Sequence, residues 1–463
     1  MRAPFSRTAF ELLAEQAAKA PERDAAITVE ARVSYGALHA RAERVAGYLH
    51  DRGVRRGDRV GLLANNRIEW LEIFFGIAAL GAVVVPFSTW STAHELAFLL
   101  DDSEISWLFT VSRFGDRQFL DDVVQLRADG KAPHLQHIVS IDGVAPDASA
   151  IAYDKVAEAA PIGALLPGEG ASACDALMML YTSGSSSRPK AVPLDHYGAI
   201  ENGFNIGCRQ GFRATDRVLV SIPLFWAYGA VNALPATISH GATLVLQSHF
   251  EAGGALDLIE QQRCSSIYTL PAMTNALVAH AAFTPARTAS LRTGVTIGSP
   301  QDIITAAREL GAADMCNVYG GTEGYGNCCV TPHDWPLERR AECQGPPLPG
   351  VDVRIRDAQS GALCDSGVIG EIEVRGYLTR GYAGHSAQFN AETFTADGYF
   401  KTGDLGSLGA DGALCFAGRH SEMIKRSGIN VSPSEVEEIL QRHPSIGLSG
   451  VTGVADAARG EII

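Results

Sequence analysis

Apolar residues recur at helical spacing over 10–19 and again over 35–52, while 59–63 and 82–86 are short apolar runs with the length of buried strands. The most apolar stretch, Ile73 to Phe87 (IFFGIAALGAVVVPF), is too short to cross a bilayer and predicts a buried helix followed by a buried strand. This alternation over the first 170 residues predicts a largely parallel sheet covered by helices. Positions 163–173 (GALLPGEGASA) are small and glycine-rich and mark a loop or lobe boundary. A second run of the same kind follows, with strands predicted at 176–181, 218–222 and 243–247 and helices at 256–262 and 272–281. Beyond about 345 the period changes. Val351, Val353 and Ile355 alternate with polar residues, as do Ile372 and Val374, which predicts half-buried antiparallel strands. Near the end, Ser432-Pro433-Ser434-Glu435 has the form of a capping box, and Val436, Ile439 and Leu440 supply one apolar helix face.

Length and charge narrow the class. The 463 residues suffice for roughly three domain-sized units. The net charge of −14 argues against a nucleic-acid or anionic-membrane partner. Nine scattered cysteines include no Cys-x-x-Cys, so neither a zinc ribbon nor a redox pair is indicated. The adjacent Cys328 and Cys329 read as packing. With no apolar h-region after Met-Arg-Ala-Pro-Phe, a reducing cytoplasmic location is the expectation.

The chemistry concentrates in Tyr181-Thr-Ser-Gly-Ser-Ser-Ser-Arg-Pro-Lys190. A predicted strand runs into Thr182, Ser183, Gly184, Ser185, Ser186 and Ser187. Small residues let backbone N–H groups approach a phosphate, hydroxyls add donors, and Lys190 adds a compact positive charge. The segment is no Walker A, since no glycine precedes the lysine and no Ser or Thr follows it. A serine-rich surface linker is the competing reading.

This segment resembles the phosphate loop of the adenylate-forming superfamily, which includes acyl-CoA synthetases, luciferases and peptide-synthetase adenylation domains. Ser187 and Ala191 stand where that family usually has glycine. Further motifs occur in the family's order. Asn317-Val-Tyr-Gly-Gly-Thr-Glu323 resembles its Tyr-Gly-x-Thr-Glu motif; the resemblance implies that Thr322 meets the α-phosphate, Glu323 holds Mg²⁺, and Tyr319, with Asn317 and Gly320, lies by the adenine. Gly298-Ser299-Pro300 resembles the loop along the adenine. Tyr399-Phe-Lys-Thr-Gly-Asp404 resembles the Thr-Gly-Asp motif. A carboxylate there can take both ribose hydroxyls, although taken alone Asp404 reads equally as a turn residue. Gly418-Arg419 and the following residues resemble the domain junction. Arg419 is implied at the ribose, Ser421 at the hinge in place of the usual Asp or Lys, and Lys425 and Gly428 on the coenzyme A side.

The resemblance runs from Ser34-Tyr35 to the chain's end. It implies an α/β fold: a large multi-lobed domain over 1–418, with two α/β sheet lobes and a small β-barrel-like lobe, then the start of a small α+β domain over 419–463. The family's small domain is longer and carries a lysine that assists adenylation. No residue here matches it, so the expectation is a fragment impaired in adenylate formation.

The implied activity is an ATP-dependent carboxylic acid:CoA ligase acting through an acyl-adenylate, with ATP, Mg²⁺ and coenzyme A as cofactor and substrates. Lys190, Thr322 and Glu323 are the catalytic candidates. The acid pocket is expected among His196, Phe225, Trp226, Tyr228, Gly229, Gly321, Gly324 and Tyr325. Trp226 replaces the family's usual histidine. A flat apolar wall suits an aryl or alicyclic acid, although Trp226 reads equally as core packing. No aspartate is present at this point to pair with an amino acid's ammonium. Loading of an acyl carrier protein, or nucleotide binding with little turnover, remain open alternatives.

Overall fold

The structure is a computed structural model, and it describes residues 8–143, 149–163, 169–182, 189–385, 387–419, 424–426, 429–431, 433–441, 443, 445–446, 449–456 and 460–463.

The expected helices form where caps and apolar stripes coincide. Thr8 caps Ala9–Lys19, its hydroxyl accepting from the Glu11 N–H while Glu11 reaches back to the Thr8 N–H. Ser34 caps Tyr35–Asp51, which buries Leu38, Ala42, Val45 and Leu49 on one stripe. The apolar run resolves into helix Ile68–Ala79, buried on nearly every side, and strand Val83–Pro86. Among the described residues no helix is long and apolar enough to cross a membrane.

Two large sheets follow the predicted period. The first has seven strands in the order Ile151–Ala152, His137–Ser140, Trp107–Thr110, Arg59–Leu63, Val83–Pro86, Ala176–Thr182 and Lys190–Asp195. It is parallel except for the last pair. The second has eight, ordered Cys329–Val330, Asp314–Tyr319, Thr293–Thr296, Ser266–Tyr268, Arg217–Val220, Thr243–Leu246, Asp24–Ile27 and Arg32–Ser34. It is antiparallel only at its two ends. The chain departs from its sequential lobes at two places: strand Ala176–Thr182, expected to open the second run, pairs with Val83–Pro86 in the first sheet. Asp24–Ile27 pairs in parallel with Thr243–Leu246, so the N-terminal strands complete the second sheet rather than the first.

The two sheets are locked by one buried amide. Asn66, just past the end of strand Arg59–Leu63, donates through Nδ2 to the carbonyls of Ile222 (2.8 Å) and Val220 (3.3 Å) and accepts through Oδ1 from the Leu224 N–H (2.8 Å).

The alternating segments form the expected antiparallel sheet, ordered Asp352–Arg356, Gly370–Arg375, Phe400–Leu408 and Leu414–Arg419. Val353 faces Val374 and Ile355 faces Ile372 across the first pair. With Leu414 these residues pack against Tyr319, Cys328 and Cys329 at the edge of the eight-stranded sheet. Each such buried aliphatic side chain is worth about 1.5–3 kcal/mol relative to exposure. That apolar contact seats the antiparallel sheet beside the C-terminal end of strand Asp314–Tyr319. A fourth sheet pairs Ile424–Arg426 with Ile429–Val431 and Gly460–Ile462, the last also pairing with Val454–Asp456. Helix Pro433–Gln441 opens on the expected proline; Ser432 lies outside the described residues.

Candidate active site

Ligands of open parallel sheets bind beyond the C-terminal ends of the strands. In the eight-stranded sheet those ends emit the candidate loops side by side. Asp314–Tyr319 leads to Gly320, Gly321, Thr322 and Glu323, Thr293–Thr296 to Gly298, Ser299 and Pro300, and Arg217–Val220 to Phe225 and Trp226. The turns are tight. A Cβ on Gly320 would lie 2.4 Å from the Gly326 carbonyl oxygen, and Gly298, at φ 152°, would place one 2.6 Å from Asp302 Oδ2. Ser299 caps helix Pro300–Arg308 in a box with Asp302. Asn317 is buried, its Oδ1 accepting from the Val318 N–H, while its Nδ2 has no hydrogen-bond partner among the described residues.

The antiparallel sheet brings a carboxylate to this edge. Asp404 and Arg419 are register partners on adjacent strands, and Arg419 Nε lies 3.2 Å from Asp404 Oδ1. Asp404 Oδ2 accepts from the Tyr319 hydroxyl at 2.7 Å. The Tyr319 ring stacks on Phe416, centroids 5.7 Å apart. Burial, and then the Asp404 charge, push the Tyr319 phenol well above its usual range, so it stays a donor. Tyr319, expected only to pack by an adenine, also orients the candidate ribose ligand.

The phosphate candidates meet at Tyr382. Thr182 and Lys190 are paired across strands Ala176–Thr182 and Lys190–Asp195, so the serine-rich segment connects the two arms of a hairpin. Ser183, Gly184, Ser185, Ser186 and Ser187 lie outside the described residues, as do Ser421 and Gly428. Lys425 is on strand Ile424–Arg426. Lys190 Nζ sits 5.3 Å from the Tyr382 ring centroid and 4.8 Å from that of Phe389. The Tyr382 hydroxyl donates to Glu323 Oε1 at 2.7 Å. Glu323 and Thr322 share a single 3₁₀ turn, Thr322–Gly324, whose backbone is tied by the Thr379 N–H donating to the Glu323 carbonyl.

The expected acid pocket is redrawn. Phe225 and Trp226 do stand at the sheet edge, where Trp90 joins them from the loop after strand Val83–Pro86. Trp90 meets Trp226 edge-on at 4.8 Å and Phe225 at 5.5 Å. Trp90 and Trp226 are 59% and 37% exposed and form an open aromatic rim, whereas Phe225 is buried. Arg117 holds the Trp90 loop by donating to the Ser91 carbonyl (2.8 Å) and to Asp122 (3.0 Å). Gly229 follows in the turn, where a Cβ would lie 2.4 Å from the Pro223 carbonyl oxygen. Tyr228 begins a six-residue π-helix, Tyr228–Ala233, a form frequent at functional sites. Its hydroxyl donates to the Val295 carbonyl at 2.8 Å, so it braces the neighbouring strands.

Two expected lining residues belong instead to the wall. His196 is fully buried, and its Nδ1 accepts from the Ala9 N–H at 3.0 Å; burial lowers its pKa to about 4. Tyr325, left-handed at φ 59°, is 1% exposed and exchanges two hydrogen bonds with Asp195. Its ring fills the space that a Cβ on Gly198 would need. Gly324 is buried beside it, whereas Gly321 is exposed. Sequence reasoning missed Trp90, Tyr382 and Asn66. The local signals are a tryptophan between Thr89 and Ser91 and a polar pair, Asn65-Asn66, just after an apolar strand.

The candidate nucleotide and acid loops thus leave the C-terminal ends of the eight-stranded sheet, and the antiparallel sheet brings Asp404 beside them. The AMP-binding enzyme family matches residues 13–383, and the chain belongs to that family. It is 30% identical over 471 residues to the putative acyl-CoA synthetase YngI of Bacillus subtilis, covering 97% of this chain and 85% of that one. Among solved structures it resembles ATP-bound MatB from Rhodopseudomonas palustris, with TM-score 0.86, 27% identity and 98% and 87% coverage of the two chains. It also resembles the anthranilate CoA ligase AuaEII in complex with anthranoyl-AMP, with TM-score 0.87, 26% identity and 98% and 86% coverage.

Proposed function

We propose that the chain is an ATP-dependent carboxylic acid:CoA ligase that works through an acyl-adenylate on an aryl, alicyclic or other bulky acid. The observations that carry this are three candidate clusters: Asp404 with Arg419 and Tyr319, Tyr382 linking Lys190 to Glu323, and the aromatic group of Trp90, Phe225 and Trp226. They offer a carboxylate for a ribose diol, a hydroxyl and a cation for phosphate, and an apolar surface for an acid, the three parts that an acyl-adenylate joins. The name of the anthranilate CoA ligase supports a ring acid.

In the first half-reaction an oxygen of the acid's carboxylate bonds to the α-phosphorus as the bond to the bridging oxygen breaks and pyrophosphate leaves. Asp404 orients the ribose, the Thr322 hydroxyl donates to an α-phosphate oxygen, and Lys190 offsets the charge of the leaving group. Glu323 offers one hard carboxylate oxygen here. Among the described residues no three His, Cys, Asp or Glu side chains cluster to hold a metal ion by themselves. One carboxylate plus substrate phosphates and water suits Mg²⁺ carried by ATP. When bound, the ion neutralises phosphate charge. In the second half-reaction the thiol sulfur of coenzyme A bonds to the acyl carbon, the bond to AMP breaks, and the thiol proton passes to solvent.

The test is acid-dependent pyrophosphate release from ATP with benzoate, cyclohexanecarboxylate and octanoate, then thioester formation with coenzyme A. Release with the ring acids and a CoA thioester is the expected result. Release with octanoate alone overturns the ring-acid assignment. Transfer only to a phosphopantetheinyl carrier protein overturns the acceptor, and no release with any acid overturns the ligase.

A further inference from the structure

We propose that Tyr382 is a positioning residue of this site, which holds Lys190 and Glu323 apart so that each stays available to the triphosphate and its metal ion. The proposal rests on the ligase reading above, but its central measurement is nucleotide binding.

Opposite charges brought close at a partly desolvated edge pair and neutralise each other unless something stands between them. Here the strand pairing makes proximity unavoidable. Ala191 bridges Ala383 through the Ala383 N–H, which puts Lys190 beside Tyr382, and the Tyr382 hydroxyl reaches Glu323. Yet among the described residues no carboxylate lies within salt-bridge reach of Lys190; its ammonium rests on the faces of Tyr382 and Phe389. A ring face attracts a cation without consuming its charge, because the attraction is to a quadrupole and a phosphate can outcompete it. The hydroxyl acts on the other partner. It occupies Glu323 Oε1, while Oε2 turns toward exposed Gly321, where a Cβ would lie 3.3 Å from it. The free oxygen therefore faces the open side of the loop.

Tyr382 is itself well fixed. It is 8% exposed, its N–H donates to Asn390 Oδ1 at 2.9 Å, and Phe389 packs against its ring at 5.7 Å. One side chain thus performs two separable tasks, with the ring serving the lysine and the hydroxyl serving the glutamate.

That separability is the test. Binding of ATP to the full chain is measured by calorimetry in EDTA and in Mg²⁺, for wild type, Tyr382→Phe, Tyr382→Leu and Tyr382→Leu/Glu323→Gln. Tyr382→Phe keeps the ring, so metal-free binding stays within about twofold while the tightening caused by Mg²⁺ shrinks by about fivefold or more. Tyr382→Leu removes the ring, Lys190 closes on Glu323, and metal-free binding weakens by about tenfold. Adding Glu323→Gln to that variant removes the competing carboxylate and restores metal-free binding. A residue that only fills space would lower both binding constants together and would not be rescued by Glu323→Gln. Either of those outcomes overturns the proposal. If Tyr382→Leu does not fold, Tyr382→Phe decides alone: an unchanged response to Mg²⁺ overturns the role of the hydroxyl. Wild type that binds ATP but activates no acid would overturn the ligase reading and leave these binding comparisons intact.

Discussion

At the scale of single residues, the same side-chain type serves different ends according to where the fold carries it. His196 follows the phosphate-loop hairpin and was expected to line the acid pocket, but it is buried as a neutral acceptor for the Ala9 N–H. Its neighbour in kind, His240, is also buried, with Nδ1 on the Ala236 carbonyl at 2.9 Å. Burial lowers both from the ordinary 6.5 to about 4. The sign follows directly. Between those values the unfolded chain takes up protons that the folded chain refuses, so stability is complete above about 6.5 and falls as pH drops toward 4. The loss amounts to a few kcal/mol per histidine at the acid end. Urea denaturation at pH 7 and pH 5 should therefore show a drop in midpoint for wild type and a smaller drop for His196→Gln. Equal drops would mean that His196 does not titrate with unfolding.

At the scale of elements, the period of the apolar pattern placed the strands and helices it named, because it reports which face is buried. Helix Tyr35–Asp51, the helix and strand within the apolar run, and the antiparallel pair Asp352–Arg356 with Gly370–Arg375 all stand where the alternation put them. The proposed roles of Lys190, Glu323, Asp404 and Arg419 come from motif resemblance instead; the structure sets Lys190, Asp404 and Arg419 on strands and Glu323 on the turn after strand Asp314–Tyr319. What the pattern does not carry is partnership across long separations. Nothing in Asp24–Ile27 announces that it pairs with strand Thr243–Leu246, and nothing in Tyr382 announces Glu323, 59 residues away. Asn66 is the clearest case, a polar residue at the end of an apolar strand whose partners begin 154 positions later. Those partners lie on the segment leading to Phe225 and Trp226, so the amide holds the start of the proposed acid loop. Asn66→Leu should cost about 1–3 kcal/mol through the unsatisfied backbone groups it leaves. In turnover it should raise KM for the acid by about tenfold while KM for ATP moves little, since the nucleotide loops hang from other strands. An equal rise in both constants would assign Asn66 to general stability instead.

At the scale of the whole molecule, three sheets contribute residues to the proposed site. The eight-stranded sheet supplies the loops, and the antiparallel sheet, seated by its apolar face, supplies Asp404 and Arg419. The seven-stranded sheet supplies Lys190 from one strand and Trp90 from the loop after another. The proposed acid rim is shared between two sheets. Trp226 belongs to the eight-stranded sheet's loop, while Trp90 arrives from the seven-stranded sheet and is fixed there by Arg117. Two indoles meeting edge to face present one π-face and one edge to solvent, an arrangement that favours a flat ring over a mobile chain. If the rim reads the acid in this way, Trp90→Ala and Trp226→Ala should each raise KM for a ring acid by about tenfold, with about 0.5–1.5 kcal/mol of the loss coming from the lost aromatic pairing. KM for ATP should stay within about twofold, because Asp404 and Lys190 are untouched. Indole fluorescence supplies a readout free of turnover: titration of wild type with benzoate should quench it, and each substitution should weaken that titration in proportion to the rise in KM. Should the Trp90 change leave ring acids unaffected but raise KM for coenzyme A, the exposed indole would belong to the thiol substrate's approach and the acid rim would reduce to Phe225 and Trp226.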